Sequence, residues 1–114
     1  KPNFGVSTKE VYGRLNLDTI KQIPDNKAMV KYLESGDIHS IGEHLVNVLE
    51  EVTIPMYPKI NSLKTDLIAQ GALGSLMSGS GPSVYGIFAN QTAAKETARV
   101  LKRKYGQVYA VRTI

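Results

Sequence analysis

The 114-residue chain has 42% hydrophobic residues, no cysteine and a net charge of +4. It is long enough for one domain. The absence of cysteine excludes disulfides, thiolate metal sites and a cysteine nucleophile, as expected for a cytoplasmic protein. The basic residues are scattered, with one cluster at 102–104, and there is no long apolar run or signal peptide, so we predict neither nucleic-acid nor membrane partners.

The N-terminal third predicts two short helices. Residues 7–10, Ser-Thr-Lys-Glu, match a capping box, in which the first hydroxyl and the last carboxylate satisfy free backbone N–H groups. A helix to about residue 15 is therefore predicted. A connection over 16–26 with a turn at Pro24-Asp25-Asn26 leads to a second helix over 26–34, which Gly36 ends.

The middle of the chain predicts two further helices. Asp37 is a suitable N-cap for a long helix reaching residue 52, and Pro55 is expected to end or kink it. The apolar side chains of this helix recur on one face: Ile38, Ile41, Leu45, Val48, Leu49 and Val52. The next helix is predicted over 57–70, with Gly71 as its stop.

The last third changes to a strand pattern. Residues 73–77 and 83–89 predict two strands, 91–105 a helix that Gly106 ends, and 107–113 a final strand. Helices followed by the order β-β-α-β predict an α+β two-layer domain with helices packed on a mainly antiparallel sheet. Three strands are few for such a sheet. We expect a fourth before Lys1, since a chain beginning Lys-Pro without Met indicates a longer parent.

Between the two adjacent strands lies the turn over residues 78–83, Ser-Gly-Ser-Gly-Pro-Ser. Glycine accepts positive φ, and bare backbone can point successive N–H groups at an anion. A wide hairpin turn is the alternative. The turn is not a P-loop, because Ser80-Gly81 occupies the Lys-Ser/Thr positions, and Val84 occupies the third glycine position of a dinucleotide fingerprint.

Residues 74–86, GSLMSGSGPSVYG, resemble the third conserved motif of the GHMP kinase superfamily. Residues 2–12, PNFGVSTKEVY, resemble its members that act on a cytidine diphosphate-linked methylerythritol, and the resemblance extends over essentially the whole chain. It implies a ferredoxin-like C-terminal domain. The intact enzyme would transfer the γ-phosphoryl of ATP, with Mg²⁺, to the substrate 2-hydroxyl in the non-mevalonate route to isoprenoid precursors.

The resemblance also implies substrate-binding residues. Thr8 and Tyr12 would hold the cytidine base, and their spacing places them on one helix face, where Tyr12 can stack on cytosine. A core aromatic and an ordinary first-turn residue are the alternatives for these two positions. The turn residues would line the cleft near the reacting groups: Ser78, Gly79, Ser80, Gly81, Pro82 and Ser83.

No catalytic residue is expected in this chain. The superfamily's phosphate loop, catalytic Asp and substrate-facing Lys belong to an N-terminal ATP-binding domain, and none of these motifs occurs here. We therefore expect residues 1–114 to form one domain whose partner is its own N-terminal kinase domain. Alone, it should bind neither ATP nor Mg²⁺ and should have no kinase activity, because phosphoryl transfer depends on groups around the phosphates. Exposed apolar surface would favour self-association.

Two other interpretations stay open. One is another GHMP kinase of the homoserine or mevalonate type, against which the opening segment argues. The other is a free-standing ferredoxin-like binding module, which would need a basic, aromatic sheet face for RNA. Among the remaining polar residues, His39 and His44 have a poor spacing for a shared metal. Glu50-Glu51 should point in different directions, and Lys64 and Asp66 are expected to be solvated.

Overall fold

The computed structural model describes residues 1–113. Within them, six α-helices pack on a two-stranded antiparallel sheet, so the predicted α+β class and the helix-on-sheet packing are confirmed. The elements in chain order are α1 (Thr8–Arg14), a 3-10 turn (Leu17–Thr19), α2 (Asn26–Ser35), α3 (Ile38–Glu43), α4 (Glu50–Met56), α5 (Lys59–Ala69), β1 (Gly74–Met77), β2 (Val84–Ile87) and α6 (Gln91–Tyr105).

Local capping signals predicted the helix starts correctly. The Ser7 side chain accepts the backbone N–H of Glu10 at 3.2 Å, and Asp37 accepts that of Ser40 at 3.1 Å. The predicted capping box is only half formed, because the Glu10 carboxylate pairs with Arg14 at 3.0 Å. Each cap satisfies N–H groups that have no partner within the helix.

The long helix predicted from Asp37 to residue 52 is wrong. It is divided into α3 and α4, and residues 44–49 form an irregular connection between them. At its centre, the Asn47 side chain accepts the N–H of Leu49 at 3.0 Å, a local bond that competes with helical hydrogen bonding. Pro55 lies in the last turn of α4, which ends one residue later, as predicted.

The sheet has two strands, with Gly74 opposite Ile87 and Met77 opposite Val84. The predicted third strand over 107–113 is wrong, since that segment is irregular in the described part of the chain. Val108 packs on the core, whereas Tyr109 and Val111 are 80% and 86% exposed. The alternating pattern supplies an apolar face, but within residues 1–113 no neighbouring strand or layer covers it.

Helix α5 contributes to two hydrophobic clusters. Its Ile60 packs with Val11, Leu49 and Met77, directly below the turn over 78–83. Further along the helix, its apolar side chains form a second cluster against α6, comprising Leu63, Leu67, Ala72 and Leu101. The first cluster therefore anchors the turn to α1 and α4.

Helices α5 and α6 are also joined by a polar contact. The Asp66 carboxylate accepts from the Lys104 ammonium at 2.8 Å and from the Tyr105 hydroxyl at 2.5 Å. These two donors, Lys104 first, hold the pKa of Asp66 below its usual value. Asp66 is therefore not only a solvated helix charge, because its 28% exposed side chain also links α5 to α6. No helix among the described residues is long and apolar enough to span a bilayer.

Candidate functional site

The turn over residues 78–83 is wider than a two-residue hairpin and is ordered by its own backbone. The Ser78 N–H donates to the Ser83 carbonyl at 2.8 Å, and the Gly81 N–H donates to the Ser78 carbonyl at 3.0 Å. Gly79 and Gly81 have φ of +56° and +85°, values that side chains rarely allow. Positive φ at alternate residues is a feature that an anion-binding nest requires.

Side chains from residues 47–53 hold the inner carbonyls of this turn. The Asn47 amide nitrogen donates to the carbonyls of Met77 and Gly79, each at 2.8 Å. The buried Thr53 hydroxyl donates to the Ser80 carbonyl at 3.1 Å. The conformation of the turn is therefore set by α4 and the segment leading into it as well as by its own glycines.

Glu50 ties the end of β1 to two helices. One carboxylate oxygen accepts the Met77 N–H at 2.8 Å and the other accepts from the Lys64 ammonium at 2.6 Å. The Lys64 and Glu50 side chains are only 21% and 15% exposed, so the expectation of a solvated Lys64 is wrong. Glu51 accepts instead from the backbone of Lys21 at 2.9 Å, which confirms that the two adjacent carboxylates diverge.

Replacing Glu50 by alanine should lower the free energy of unfolding by about 2 kcal/mol, because it leaves the part-buried Met77 N–H and the Lys64 ammonium without their acceptor. Urea denaturation followed by circular dichroism measures the loss. The matched control is Glu51→Ala at an exposed carboxylate, for which we expect about 0.5 kcal/mol. Equal losses in the two variants would contradict a special role for Glu50.

An open groove of about 570 Å³ runs beside the turn. Tyr12 from α1, Tyr85 from β2, Asn47 and the exposed turn residues Ser78 and Gly79 are among the residues that line it. Tyr12 is 57% exposed, so it is not a core aromatic. The groove thus combines an aromatic face with exposed backbone, a combination that suits a flat ring carrying a charged group.

The other predicted residues do not line the groove. The hydroxyls of Thr8 and Ser80 are hydrogen-bonded at 2.9 Å, which links the start of α1 to the turn. Ser80 and Pro82 are buried, Gly81 is half-buried and Ser83 is exposed. Ser78 and Gly79 therefore have more access to a ligand than the buried members of the predicted set.

Tyr85 was not among the predicted site residues. It stands opposite Leu76 in the sheet and lines the groove. Burial, with the Glu50 carboxylate as a second cause, raises the pKa of its hydroxyl. Tyr85 therefore stays protonated at neutral pH and can donate a hydrogen bond into the groove.

The described residues do not fit a Mg²⁺ site of their own. Hard divalent cations take carboxylate and carbonyl oxygens from converging ligands. Over residues 1–113 no three His, Asp or Glu side chains converge in this way. The carboxylate that contacts the backbone just before the turn, Glu50, is already held by Met77 and Lys64. No metal-dependent step is therefore assigned to this chain.

The chain thus forms a helix-backed antiparallel hairpin with a glycine turn above a groove. Residues 29–107 match the family model described as GHMP kinases C terminal. The chain belongs to this family. Among curated relatives it is similar to two proteins named 4-diphosphocytidyl-2-C-methyl-D-erythritol kinase. It is 45% identical to the one from Clostridium novyi over 100% of this chain, and 47% identical to the one from Clostridioides difficile over 97%.

Two solved structures are similar in fold to this chain. A crystal structure of 4-(cytidine 5'-diphospho)-2C-methyl-D-erythritol kinase superimposes with a TM-score of 0.78 at 25% identity, covering 95% of this chain and 38% of that one. Homoserine kinase from Cytophaga hutchinsonii superimposes with a TM-score of 0.63 at 27% identity, covering 90% and 34%. The chain spans 41% and 38% of the length of the two curated relatives.

Proposed function

We propose that residues 1–114 are the C-terminal, substrate-side domain of an ATP-dependent kinase. Its substrate is 4-diphosphocytidyl-2-C-methyl-D-erythritol, phosphorylated on the 2-hydroxyl in the non-mevalonate route. The observation that carries the proposal is that Tyr12 and the exposed turn residues Ser78 and Gly79 line one groove. The relatives of 45% and 47% identity support the choice of substrate.

In this proposal different residues hold different parts of the substrate. Tyr12 stacks on the cytosine, while Thr8 and Ser80 hold α1 against the turn. The N–H of Gly79, an exposed residue that lines the groove, has no protein acceptor within residues 1–113, so it is available to the diphosphate. The other turn residues, Gly81, Pro82 and Ser83, shape the backbone.

The remaining parts of the reaction are proposed to lie on an N-terminal kinase domain, the main partner of this one. ATP and Mg²⁺ would bind there, and this chain alone would transfer no phosphoryl group. The exposed Tyr109 and Val111 fit a surface that such a domain covers, or that self-associates without it. A cysteine-free chain suits the cytoplasm.

A second candidate is a homoserine-type kinase, favoured by the similarity to the homoserine kinase structure. The two candidates differ in what the groove must hold. A nucleotide-linked substrate needs an aromatic face for its base, and exposed Tyr12 supplies one. Homoserine has no ring to stack, so an aromatic residue at this position would not strengthen its binding.

Cytidine 5'-diphosphate should bind the purified chain and shift the backbone amide resonances of Tyr12, Ser78 and Gly79 in ¹H–¹⁵N spectra. Tyr12→Ala should weaken this binding about tenfold, because stacking on one base contributes about 1–3 kcal/mol. The matched control is Tyr109→Ala, at a tyrosine that is 80% exposed and does not line the groove. It should bind cytidine 5'-diphosphate like the wild type.

The same titration distinguishes the candidates. Homoserine should leave the groove resonances unchanged. Shifts caused by homoserine and not by cytidine 5'-diphosphate would support the second candidate. Equal affinities of the wild type and Tyr12→Ala would refute base stacking on Tyr12.

A further inference from the structure

Asn47 is connected to the turn in a way that the proposed function leaves unexplained. Both hydrogens of its amide are used, one on the Met77 carbonyl and one on the Gly79 carbonyl, each at 2.8 Å. Its oxygen accepts the Leu49 N–H at 3.0 Å. Backbone carbonyls only accept and a backbone N–H only donates, so these partners fix which way the amide faces. Asn47 therefore joins the segment leading into α4 to two separate carbonyls at the glycine turn.

These contacts determine where the N–H groups of the turn point. In a planar trans peptide the C=O and N–H face opposite directions. Because Asn47 holds the Gly79 carbonyl, the N–H of the same peptide, that of Ser80, must point away from Asn47. Ser80, however, is buried and does not line the groove. The Gly79 N–H lies in the peptide between the two carbonyls that Asn47 holds, on an exposed residue that lines the groove, and it has no protein acceptor within residues 1–113. By contrast, the peptide held by Thr53 carries the Gly81 N–H, which already donates to Ser78.

We propose that Asn47 is the positioning residue of the glycine turn, fixing the Gly79 N–H as a donor to the diphosphate group of the substrate. The inference rests on the proposed function for its ligand. Asn47 holds the donor in place by fixing the carbonyls on either side of its peptide, while the donor itself meets the anion. A preorganised donor binds an anion more tightly than a mobile one, because no ordering is needed when the ligand arrives.

The positioning role is tested first without ligand, in the purified chain. Asn47→Ala removes both donors, and the backbone order parameters of residues 78–81 from ¹⁵N relaxation should fall from about 0.85 toward 0.6. The matched control is Asn90→Ala, which also removes an asparagine that holds a backbone group, the Ala93 N–H at 2.8 Å. Asn90 follows β2 at the opposite end of the hairpin, so the order of the turn should not change. Asn47→Asp keeps the side-chain volume and replaces Asn47→Ala should that variant fail to fold.

The second arm uses inorganic pyrophosphate as the probe. Asn47→Ala should bind it at least about tenfold more weakly than the wild type, whereas Asn90→Ala should bind it normally. An unchanged order parameter at residues 78–81 in Asn47→Ala overturns the positioning role, whatever the affinity. A disordered turn combined with no pyrophosphate binding by the wild type supports the positioning role and counts against the proposed function instead.

Discussion

Replacing Gly74 by alanine is expected to lower the free energy of unfolding by about 4 kcal/mol, at the upper end of what overpacking costs. A Cβ on Gly74 would lie 2.2 Å from the Gly42 carbonyl oxygen and 2.7 Å from two further backbone atoms of that residue. Backbone atoms cannot rotate away as side-chain ends can. Helix α3 would have to separate from β1. Gly42 would then lose its close approach to Leu73, whose carbonyl oxygen would lie 2.5 Å from a Cβ on Gly42.

Urea denaturation measures this effect, and Gly13→Ala is the control. Gly13 lies in α1, where a Cβ would have no neighbouring atom within 4 Å, so alanine there should raise the free energy of unfolding by about 0.5–1 kcal/mol through helix propensity. A Gly74→Ala variant that unfolds within about 1 kcal/mol of the wild type would show that α3 and β1 can move apart at little cost, contrary to the close contact between their backbones.

The second large effect is expected at the glycine turn, where Gly81→Ala should cost about 3 kcal/mol. Part of the cost is the left-handed backbone, since φ is +85° and an L-residue loses about 1–2 kcal/mol there. The rest is overpacking, because a Cβ would lie 2.9 Å from the Met77 sulfur and 3.3 Å from both Ile60 and Thr53. Thermal and urea unfolding both report the loss.

Gly79 separates the two causes. Its φ is also positive, at +56°, but nothing lies within 4 Å of a Cβ there. Gly79→Ala should therefore show the backbone cost alone, about 1 kcal/mol. Losses of the same size at Gly79 and Gly81 would mean that the space above Met77 and Ile60 adapts freely, and that backbone conformation alone requires glycine in the turn.

The parts of the fold that were predictable from sequence are those decided by neighbouring residues. The caps at Ser7 and Asp37 act over three residues, so the local sequence reveals both. The break between α3 and α4 depends only partly on local sequence, because Asn47 bonds to the Leu49 N–H nearby but also donates to carbonyls 30 and 32 residues further along the chain. The apolar alternation over 107–113 predicted a strand, but a strand also needs a partner, which periodicity does not reveal.

The residues of the candidate site also fall into those that the sequence reveals and those that it does not. Thr8, Tyr12 and the turn came from motif resemblance. In the structure Tyr12 lines one groove with Ser78 and Gly79 of the turn, and Thr8 is hydrogen-bonded to Ser80. Their roles in substrate binding remain predictions. Tyr85, Thr53 and Asn47 carried no local signal, because each acts through contacts across the fold. The alternation of β2 was the one available hint for Tyr85, since it places that side chain on the face opposite Val84 and Gly86.

The hydrogen bonds that Asn47 and Thr53 donate to the carbonyls of Met77, Gly79 and Ser80 restrict the length of the turn. Most surface loops accept insertions and deletions, since their backbone is bonded mainly to water. Here the three anchoring points have fixed spacings along the chain, and one added residue would move every later carbonyl out of reach of its donor. Although it lies at the surface, this loop is therefore expected to tolerate neither insertion nor deletion, and to accept substitutions mainly at side chains that face outward.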